Sequence, residues 1–573
     1  MQCSFRYPIA ALALGVAVIM VDDVARADAP TPSLNLVLPH GIHRTEGGLY
    51  FEDVCDHSVA RHCLALRLLP ASFRPQDVRP QDDVEPAFGG QMCTPGFGGF
   101  GGSSPPANAM TPSDVLAAYK IPASSQAGGK IVALVDMPDS NAYAELSTYR
   151  QAFGLPALPQ CSGGLPDGKT PCFAAVDESG NPNATSLDCP GADGETGLDM
   201  AMVSAACPDC SILVVQMTGA DNGPQDQDFV TAVATAAKLG AVATSISFGG
   251  PEQGSDPAGF TTPGHLVLAA TGDQGYLLEN EFFGGGQSPS YPASAPDVLG
   301  VGGTLLQKNG DAYSEVVWSD RTGATGSGCS TEFSMPAFQT DFGTSHFGSC
   351  SKRASADVSA VANFAGGGIA SYDAHDKWVP MAGTSAASPL VAGILTRVGL
   401  AAQVGNDLGY VYENVAAFND VTSGSNDSKD LCQDVMCTAG PGWDGPTGVG
   451  TPNATKLAAL ASPPSSPDAG SGSGSGGGGA DGGSGSGSGG GSGGGSGTDS
   501  GDAGDDGPSG WPGDVDAGAD AAPGNSEAYA NQATPPGGCA CAAVDASPGS
   551  STPRGLALAG ALALLATRRR RRA

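Results

Sequence analysis

Short, continuous apolar runs alternate with helix-like stretches in the middle of this 573-residue chain. The apolar runs lie at residues 130–136, 211–216, 241–247 and 265–271, and the helix-like stretches at 142–153 and 224–239. Strands that are buried on both faces carry apolar residues without alternation, and helices between them allow parallel pairing. The sequence therefore predicts an α/β fold, a mainly parallel sheet with helices on both faces. Any ligand chemistry should gather at the carboxyl ends of the strands.

Composition divides the chain into five parts. Residues 1–27 have the charged start, apolar run and Ala-Arg-Ala site of a secretory signal peptide. Residues 28–107 form a Cys-bearing segment, and residues 108–461 carry the α/β pattern. Residues 462–538 are rich in Gly, Ser and Asp, which predicts a disordered linker. Residues 539–573 combine two Cys, a short apolar run and an Arg cluster, which predicts a sorting or membrane-anchoring tail.

The charge and the cysteines point to an exported protein. A formal net charge of −32 excludes nucleic acid as a partner, since phosphate binding needs clustered Lys and Arg. We expect a soluble monomer. Local disulfides are expected for Cys55 with Cys63, Cys161 with Cys172, Cys207 with Cys210, Cys329 with Cys350 and Cys432 with Cys437, although spacing does not fix connectivity. Metal binding around Cys55, His57, His62 and Cys63, and a redox pair at Cys207 and Cys210, are the alternatives.

Ser385 follows a small-residue turn and opens an apolar helix. Backbone N–H groups and the positive end of the helix dipole at this place favour a developing negative charge, which suits a nucleophile. The same position is also ordinary for a serine that only caps the helix. A nucleophilic serine needs a base. None of the seven histidines lies in a Gly-rich motif after the first strand, so a Ser-His-Asp triad is poorly supported, with His265 and His375 as its candidates.

Carboxyl groups supply the alternative base. Glu195 and Asp199 are four residues apart, which places both on one face of a helix, where two carboxyls can share one proton. Asp273 follows a buried strand and, if protonated, could donate to an oxyanion. Solvated acidic residues at a helix start and an ordinary Asp turn are the alternatives. Asp420 and Asp444 lie in Gly-rich turns, whose carboxylate and carbonyl oxygens suit calcium, although a plain tight loop has the same composition.

Taken together, these segments resemble the sedolisin family of serine-carboxyl peptidases over about residues 108–461. The matching segments are GETGLD at 194–199, ATGDQG at 270–275, AGTSAASP at 382–389, FNDVTSG at 418–424 and AGPGWDGPTGVGTP at 439–452, with YPASAPDVLGVGGT at 291–304 and ADVSA at 356–360. The resemblance implies a subtilisin-like fold in which Ser385 is the nucleophile. It makes Glu195 the base, Asp199 its partner and Asp273 the oxyanion donor. One Ca²⁺ would be bound by Asp420 and Asp444 and by the carbonyls of Val421, Gly440 and Gly442.

This resemblance implies a peptidase, endo- or exo-acting, that works on proteins or peptides in acid. The segment before residue 108 is shorter than the pro-segments of the family, which leaves open how a zymogen is kept inactive. Residues 539–573 resemble a MYXO-CTERM-type sorting tail, which implies a secreted protein anchored at the cell surface. An inactive sedolisin-like protein that binds peptides is the main alternative, and a His-dependent subtilisin is another.

Overall fold

The computed structural model describes residues 42–461 except 45–47, 56–60, 75–100, 183–188, 190–191, 218–222, 255–256, 258, 278–287, 365–366 and 428–430. The chain divides into two compact units, Met1–Ser473 and Gly474–Ala573, and every described residue belongs to the first. The predicted signal peptide, linker and tail lie outside the described residues and remain predictions. Among the described residues, no helix is both long and apolar enough to cross a membrane.

Nine α-helices are found in the described part of the chain. They are α1 (Pro112–Ala118), α2 (Ala142–Ala152), α3 (Asp193–Ala206), α4 (Asp226–Lys238), α5 (Ala337–Gly343), α6 (Thr384–Arg397), α7 (Ala401–Asn406), α8 (Gly409–Glu413) and α9 (Ala454–Ala461). The strands of the same residues are β1 (Ile42–Arg44), β2 (Tyr50–Asp53), β3 (His62–Cys63), β4 (Leu66–Leu68), β5 (Ile131–Asp136), β6 (Phe173–Asp177), β7 (Ser211–Gln216), β8 (Ala241–Ile246), β9 (Phe248–Pro251), β10 (Leu266–Ala270), β11 (Gln274–Tyr276), β12 (Ser290–Tyr291), β13 (Leu299–Asn309), β14 (Ala312–Val317), β15 (Ala324–Ser334), β16 (Lys352–Ser355), β17 (Val358–Val361), β18 (Ile369–Asp373), β19 (Lys377–Ala382), β20 (Phe418–Asn419) and β21 (Thr451–Pro452).

An eight-stranded sheet forms the centre of the molecule. Its strand order is β14-β13-β10-β8-β5-β7-β6, and β17 also pairs with β13. All of these pairs are parallel except β13 with β14. The four apolar runs of the sequence form β5, β7, β8 and β10, and nearly all their residues are buried. The predicted α/β architecture is therefore confirmed.

Helices α3 and α6 are the two most deeply buried helices described, since all 14 residues of each are buried. Small residues let them approach each other closely: a Cβ atom on Gly393 of α6 would lie only 2.8 Å from the Cβ of Ala206 in α3. Such packing fixes the relative position of the two helices. Both helices begin at residues that the sequence singled out for chemistry, so this contact also positions the candidate site.

The described N-terminal residues add a second, antiparallel sheet of order β1-β2-β4-β19-β18. Strand β4 pairs with β19, the strand that leads into α6, and β3 pairs with β9, which follows β8. The described part of the segment 28–107 therefore packs as part of the same unit as residues 108–461.

All five predicted local disulfides are present. They join Cys55 to Cys63, Cys161 to Cys172, Cys207 to Cys210, Cys329 to Cys350 and Cys432 to Cys437. Cys189 is disulfide-bonded as well. The metal alternative at Cys55 and Cys63 and the dithiol alternative at Cys207 and Cys210 are therefore wrong for these residues. Disulfides persist in oxidising compartments, which agrees with export.

Candidate active site

Ser385 is the second residue of α6 and is fully buried. Its Oγ donates to the carbonyl of Ser247, at 3.2 Å. Pro389 has no N–H to donate to the Ser385 carbonyl one turn earlier. That carbonyl instead accepts a hydrogen bond from the Ser247 hydroxyl at 3.3 Å. The start of α6 is thus tied to the residue that follows β8.

Glu195 and Asp199 lie in the first turns of α3 and are both fully buried. Burial raises the pKa of Glu195 well above its usual value, the charge of Asp136 adds to the rise, and the nearby hydroxyl of Ser385 opposes it. Neither oxygen of Glu195 has a hydrogen-bond partner among the described residues. The Ser385 hydroxyl lies close to this carboxylate. Because the Glu195 oxygens are not engaged elsewhere, the carboxylate is free to accept the proton of Ser385.

The Asp199 carboxylate accepts hydrogen bonds from the Ser247 hydroxyl at 2.8 and 3.0 Å. Burial raises its pKa well above the usual value, and the charges of Asp136 and Glu195 add to the rise. Because these carboxyls are close in a dry environment, they cannot all be ionised together. The cluster therefore holds at least one shared proton at a pH where exposed carboxyls have none.

Asp273 follows β10 and reaches the start of α6. Its Oδ1 accepts from the backbone N–H and the hydroxyl of Thr384, at 2.8 and 2.7 Å. Its Oδ2 is buried and has no hydrogen-bond partner among the described residues. Burial raises the pKa of Asp273 to about 7, against the opposing hydrogen bonds from Thr384. At lower pH the free Oδ2 can therefore carry a proton and act as a donor.

The structure thus brings together all four residues that the sequence singled out for catalysis, and it adds a fifth carboxyl. Asp136, the last residue of β5, is fully buried, and burial raises its pKa to about 8. Its charge acts on both Glu195 and Asp199. Asp136 was not predicted as a site residue, because in the sequence it looks like the polar end of an apolar strand. Its position at the carboxyl end of a parallel strand, where ligand chemistry gathers, could have identified it.

A group of three buried carboxyls extends from the same end of the fold. It consists of Asp139, Glu145 and Asp193, whose nearest oxygens all lie within 4.8 Å of one another. Burial raises the pKa of Glu145 well above its usual value, and the charge of Asp139 adds to the rise. No local sequence pattern marks this group, because Asp193 lies far along the chain from Asp139 and Glu145.

The described histidines do not support an imidazole base. His265 is buried near the amino ends of β8 and β10, with Nδ1 2.7 Å from the Ala241 carbonyl and Nε2 2.9 Å from the Thr244 hydroxyl. Ser385 contacts Ser247, beyond the opposite, carboxyl end of β8. His375 is exposed in the turn between β18 and β19. None of the five described histidines hydrogen-bonds to Ser385, so the carboxyl cluster is the only candidate base among the described residues.

The residues predicted to bind calcium lie close together, away from this cluster. Asp420 Oδ2 accepts from the N–H of Gly442 at 2.9 Å, and Asp444 Oδ2 accepts from the N–H of Gly440 at 3.3 Å. Burial raises the pKa of Asp444 to about 7, and the charge of Asp420 adds to the rise. Val421 is buried beside Asp420. Two mutually repelling carboxylates on Gly-rich turns are a donor set that a hard divalent cation would stabilise.

Comparisons with known proteins find similar peptidases. A profile of the subtilase family matches residues 180–404. Kumamolisin from Bacillus sp. (strain MN-32) is 31% identical over 381 residues, which are 62% of this chain and 64% of kumamolisin. Sedolisin from Pseudomonas sp. (strain 101) is 33% identical over 215 residues, 34% of this chain and 35% of sedolisin. Human tripeptidyl-peptidase 1 is 31% identical over 34% of this chain and 37% of its own length. The chain thus spans less than two thirds of the length of these relatives.

The solved structure of Pseudomonas sedolisin, complexed with pseudo-iodotyrostatin, matches with a TM-score of 0.51. The match covers 63% of this chain and 98% of the sedolisin chain, at 23% identity, and it shows the fold alone. This structural match and the central parallel sheet together show that the chain has a subtilisin-like α/β fold. Within that class the chain is similar to kumamolisin, sedolisin and tripeptidyl-peptidase 1.

Proposed function

We propose that this chain is a serine-carboxyl peptidase that hydrolyses peptide bonds of proteins or peptides in acid. One observation carries the proposal: the Ser385 hydroxyl and the unpartnered carboxylate of Glu195 meet in a buried site, where no described histidine reaches them. Its relatives include peptidases named sedolisin, kumamolisin and tripeptidyl-peptidase, which supports the same reaction class.

The proposed reaction begins when Ser385 Oγ turns from the Ser247 carbonyl to Glu195 and attacks the peptide carbonyl. Glu195 takes the hydroxyl proton, and Asp199 shares its charge while the Ser247 hydroxyl fixes its orientation. The oxyanion is stabilised by the N–H of Ser385 and by the protonated Oδ2 of Asp273. Glu195 then gives its proton to the leaving amine. Water hydrolyses the acyl-enzyme with Glu195 again acting as the base.

Replacing Asp273 with alanine is expected to lower kcat by about 10²–10³-fold, the usual cost of losing one oxyanion donor. Peptide hydrolysis in acid would be followed for the wild type and for Asp273→Ala. Thr384→Ser is the matched control, because it keeps the hydroxyl and the N–H that hold Asp273 Oδ1. Turnover close to wild type in Asp273→Ala would remove Asp273 from the proposed mechanism.

We further propose that one Ca²⁺ is bound by the side chains of Asp420 and Asp444 and by the carbonyls of Val421, Gly440 and Gly442. The charge repulsion between the two carboxylates fits such an ion. The ion would stabilise the loops 418–424 and 439–452 and would take no part in the reaction.

Chelation is therefore expected to lower the Tm of the wild type by roughly 3 °C, the shift expected when a ligand at a concentration about a hundred times its Kd is removed from a unit of this size. Before chelation, the Asp420→Ala variant should already have the Tm of the chelated wild type. Chelation should not lower its Tm further. Asp320→Ala removes another exposed turn carboxylate and should behave like the wild type. A chelation shift of equal size in Asp420→Ala would place the cation elsewhere.

Export and surface anchoring complete the proposal. The buried disulfides and the acidic surface suit an extracellular protein. The Arg-ending tail at 539–573 would retain it at the cell surface, and a monomer would suffice because all the proposed catalytic groups come from one chain.

A further inference from the structure

Four buried carboxyls meet around the first turn of α3. They come from the loop after β5, from α2, from the first residue of α3 and from the end of β18, and are here called the junction carboxyls: Asp139, Glu145, Asp193 and Asp373. The first three each offer an oxygen within 4.8 Å of the others. A Cβ atom on Gly194 would lie 3.9 Å from Asp373 Oδ2, so the fourth carboxyl faces the same turn of α3. Each of the four residues is at most 3% exposed.

Glu145 connects three of the elements that meet at this place. Its Oε1 accepts from the Ala374 N–H at 2.6 Å, which ties α2 to the turn after β18. Its side chain also hydrogen-bonds to that of Asp139. An ionised carboxylate has no proton to donate, so two carboxyls can form this bond only while one of them is protonated. No N–H group or hydroxyl of the described residues donates to Glu145 Oε2. The contact between α2 and the loop after β5 therefore depends on a bound proton.

The charges around Glu145 favour that proton. Burial raises the pKa of Glu145 well above its usual value, and the charges of Asp139 and Asp373 add to the rise. Asp139 is also the charge that acts on Asp136 at the end of β5. Arg150, the only basic residue of α2, donates to groups near the other end of α3. Negative charges thus dominate the surroundings of Glu145 on the side of α3.

The basic groups near the junction act on Asp373 alone. Burial raises the pKa of Asp373, and the charge of Arg67 in β4 opposes the rise. Arg67 forms its own ion pairs with Glu52 and Asp376. Two basic residues of the turn after β18 act on Asp373 as well, His375 and Lys377. This partial compensation leaves the other three junction carboxyls to be neutralised by protons.

We propose that the junction carboxyls are a proton-dependent latch, closed in acid and open near neutral pH. With a shared proton they hold α2 and β18 against the start of α3. Once that proton leaves, like charges held within 4.8 Å in a buried place repel each other, and α2 and the turn after β18 separate from α3. Asp193 and Glu195 lie in the same first turn of α3, so this opening would also move Glu195 away from Ser385. The effect on activity rests on the proposed function, and the opening itself does not.

The latch gives the stability of the chain a pH dependence of definite sign. A carboxyl whose pKa is raised in the folded chain takes up a proton on folding at any pH above its usual value of about 4. The stabilisation is therefore complete in acid and is lost as the pH rises from about 4 through the raised pKa of Glu145. The Tm of the wild type should be highest in acid and fall towards neutral pH.

The first test compares Tm at about pH 4 and about pH 7 for the full chain, with Ser385→Ala in every sample to prevent digestion. Glu145→Gln keeps the oxygen that accepts from Ala374 and gives Asp139 a permanent donor. We expect this variant to have a Tm roughly 2–4 °C above the unsubstituted Glu145 chain at neutral pH and a similar Tm in acid. Glu413→Gln removes an exposed carboxylate from α8 and is the matched control, which should behave like the unsubstituted chain. An equal fall of Tm in both variants would contradict the latch.

Amide hydrogen exchange shows where the structure opens. At neutral pH, after correction for the intrinsic rate, residues 142–152 of α2 should lose protection while residues 226–238 of α4 keep it. Glu145→Gln should keep α2 protected at both pH values. Asp139→Asn is a second variant and should act in the same direction, since it keeps the oxygen that accepts the Asn141 N–H at 2.6 Å. Protection lost equally in α2 and α4 would show general loosening and would contradict the latch.

The remaining outcomes separate the latch from its alternatives. A Tm that Glu145→Gln lowers equally at both pH values would make this carboxyl a packing group only and would contradict the inference. If added Ca²⁺ raises the neutral Tm of Asp420→Ala, and Glu145→Gln abolishes that gain, the junction carboxyls are a cation site and the inference is wrong. Neither Tm nor exchange needs peptidase activity, so the latch can fail while the proposed function stands, and the reverse.

Discussion

The Ser385→Ala variant is expected to lose about 10⁶-fold in kcat, the loss seen when the nucleophile of a serine peptidase is removed. The substitution deletes only Oγ, whose one hydrogen bond is the 3.2 Å contact with the Ser247 carbonyl. The fold should therefore be kept, with Tm close to that of the wild type. Kinetics with a peptide that reports cleavage, under single-turnover conditions, would measure the loss.

The matched control is Ser388→Ala. Ser388 is also buried in α6, but its hydroxyl is 2.8 Å from that of Ser245 and not near the carboxyl cluster. This variant should lose some stability and little turnover. A fall in kcat of similar size in both variants would show that α6 tolerates no change, and would contradict a special role for Ser385.

Glu195→Gln is expected to have the second largest effect. It should lower kcat by about 10²–10⁴-fold, which is the contribution of a positioned general base. Glutamine has nearly the same shape but cannot accept the proton of Ser385. It also removes one charge from a buried cluster in which like charges raise the pKa of each member. The Tm near neutral pH should therefore stay the same or rise, while kcat falls. A fall in kcat without a fall in Tm distinguishes a catalytic role from a structural one.

Glu145→Gln is the control for this experiment. Glu145 is also a buried carboxyl with a raised pKa, and its Oε1 accepts from the Ala374 N–H at 2.6 Å. It has no contact with Ser385. Removing its charge should leave the proton transfer from Ser385 unaffected, so kcat should stay within a few-fold of wild type. A loss as large as that of Glu195→Gln would assign the base function to the wider cluster.

Local patterns were sufficient for four of the eight strands of the central sheet, namely β5, β7, β8 and β10. The run at 211–216 predicted β7 correctly, because a strand buried on both faces must be apolar along its whole length. The Gly-rich strand β13 had no such signal, since glycine weakens strand propensity. The structure explains its glycines by close packing: a Cβ on Gly303 would lie 2.6 Å from the Cβ of Ala362.

The candidate site was predictable where one segment carried its own chemistry. Glu195 and Asp199 share a helix face, and Ser385 stands at a helix start, so each could be recognised locally. Asp136 could not be, because its role depends on contacts between residues far apart in the chain. The pairing of β4 with β19 joins residues more than 300 positions apart, and no local pattern specifies it.

The pH dependence of kcat/KM tests the central claim most directly, namely that carboxyl groups prepare Ser385 for attack. The pKa of Asp273 is raised to about 7, so its donor form is present at lower pH and is lost as the pH rises through that value. Opening the site to water would lower this pKa. The decline of kcat/KM at the high-pH side of the profile should therefore occur at or below about pH 7. Activity should also decline in strong acid, once the cluster of Glu195 and Asp199 is fully protonated.

The measurement compares the wild type with His375→Ala and His265→Gln across the acid and neutral range. We expect a maximum in acid, little activity above neutrality, and the same profile in both histidine variants. A maximum at or above neutral pH that disappears in either histidine variant would show that an imidazole is the base and would contradict the account.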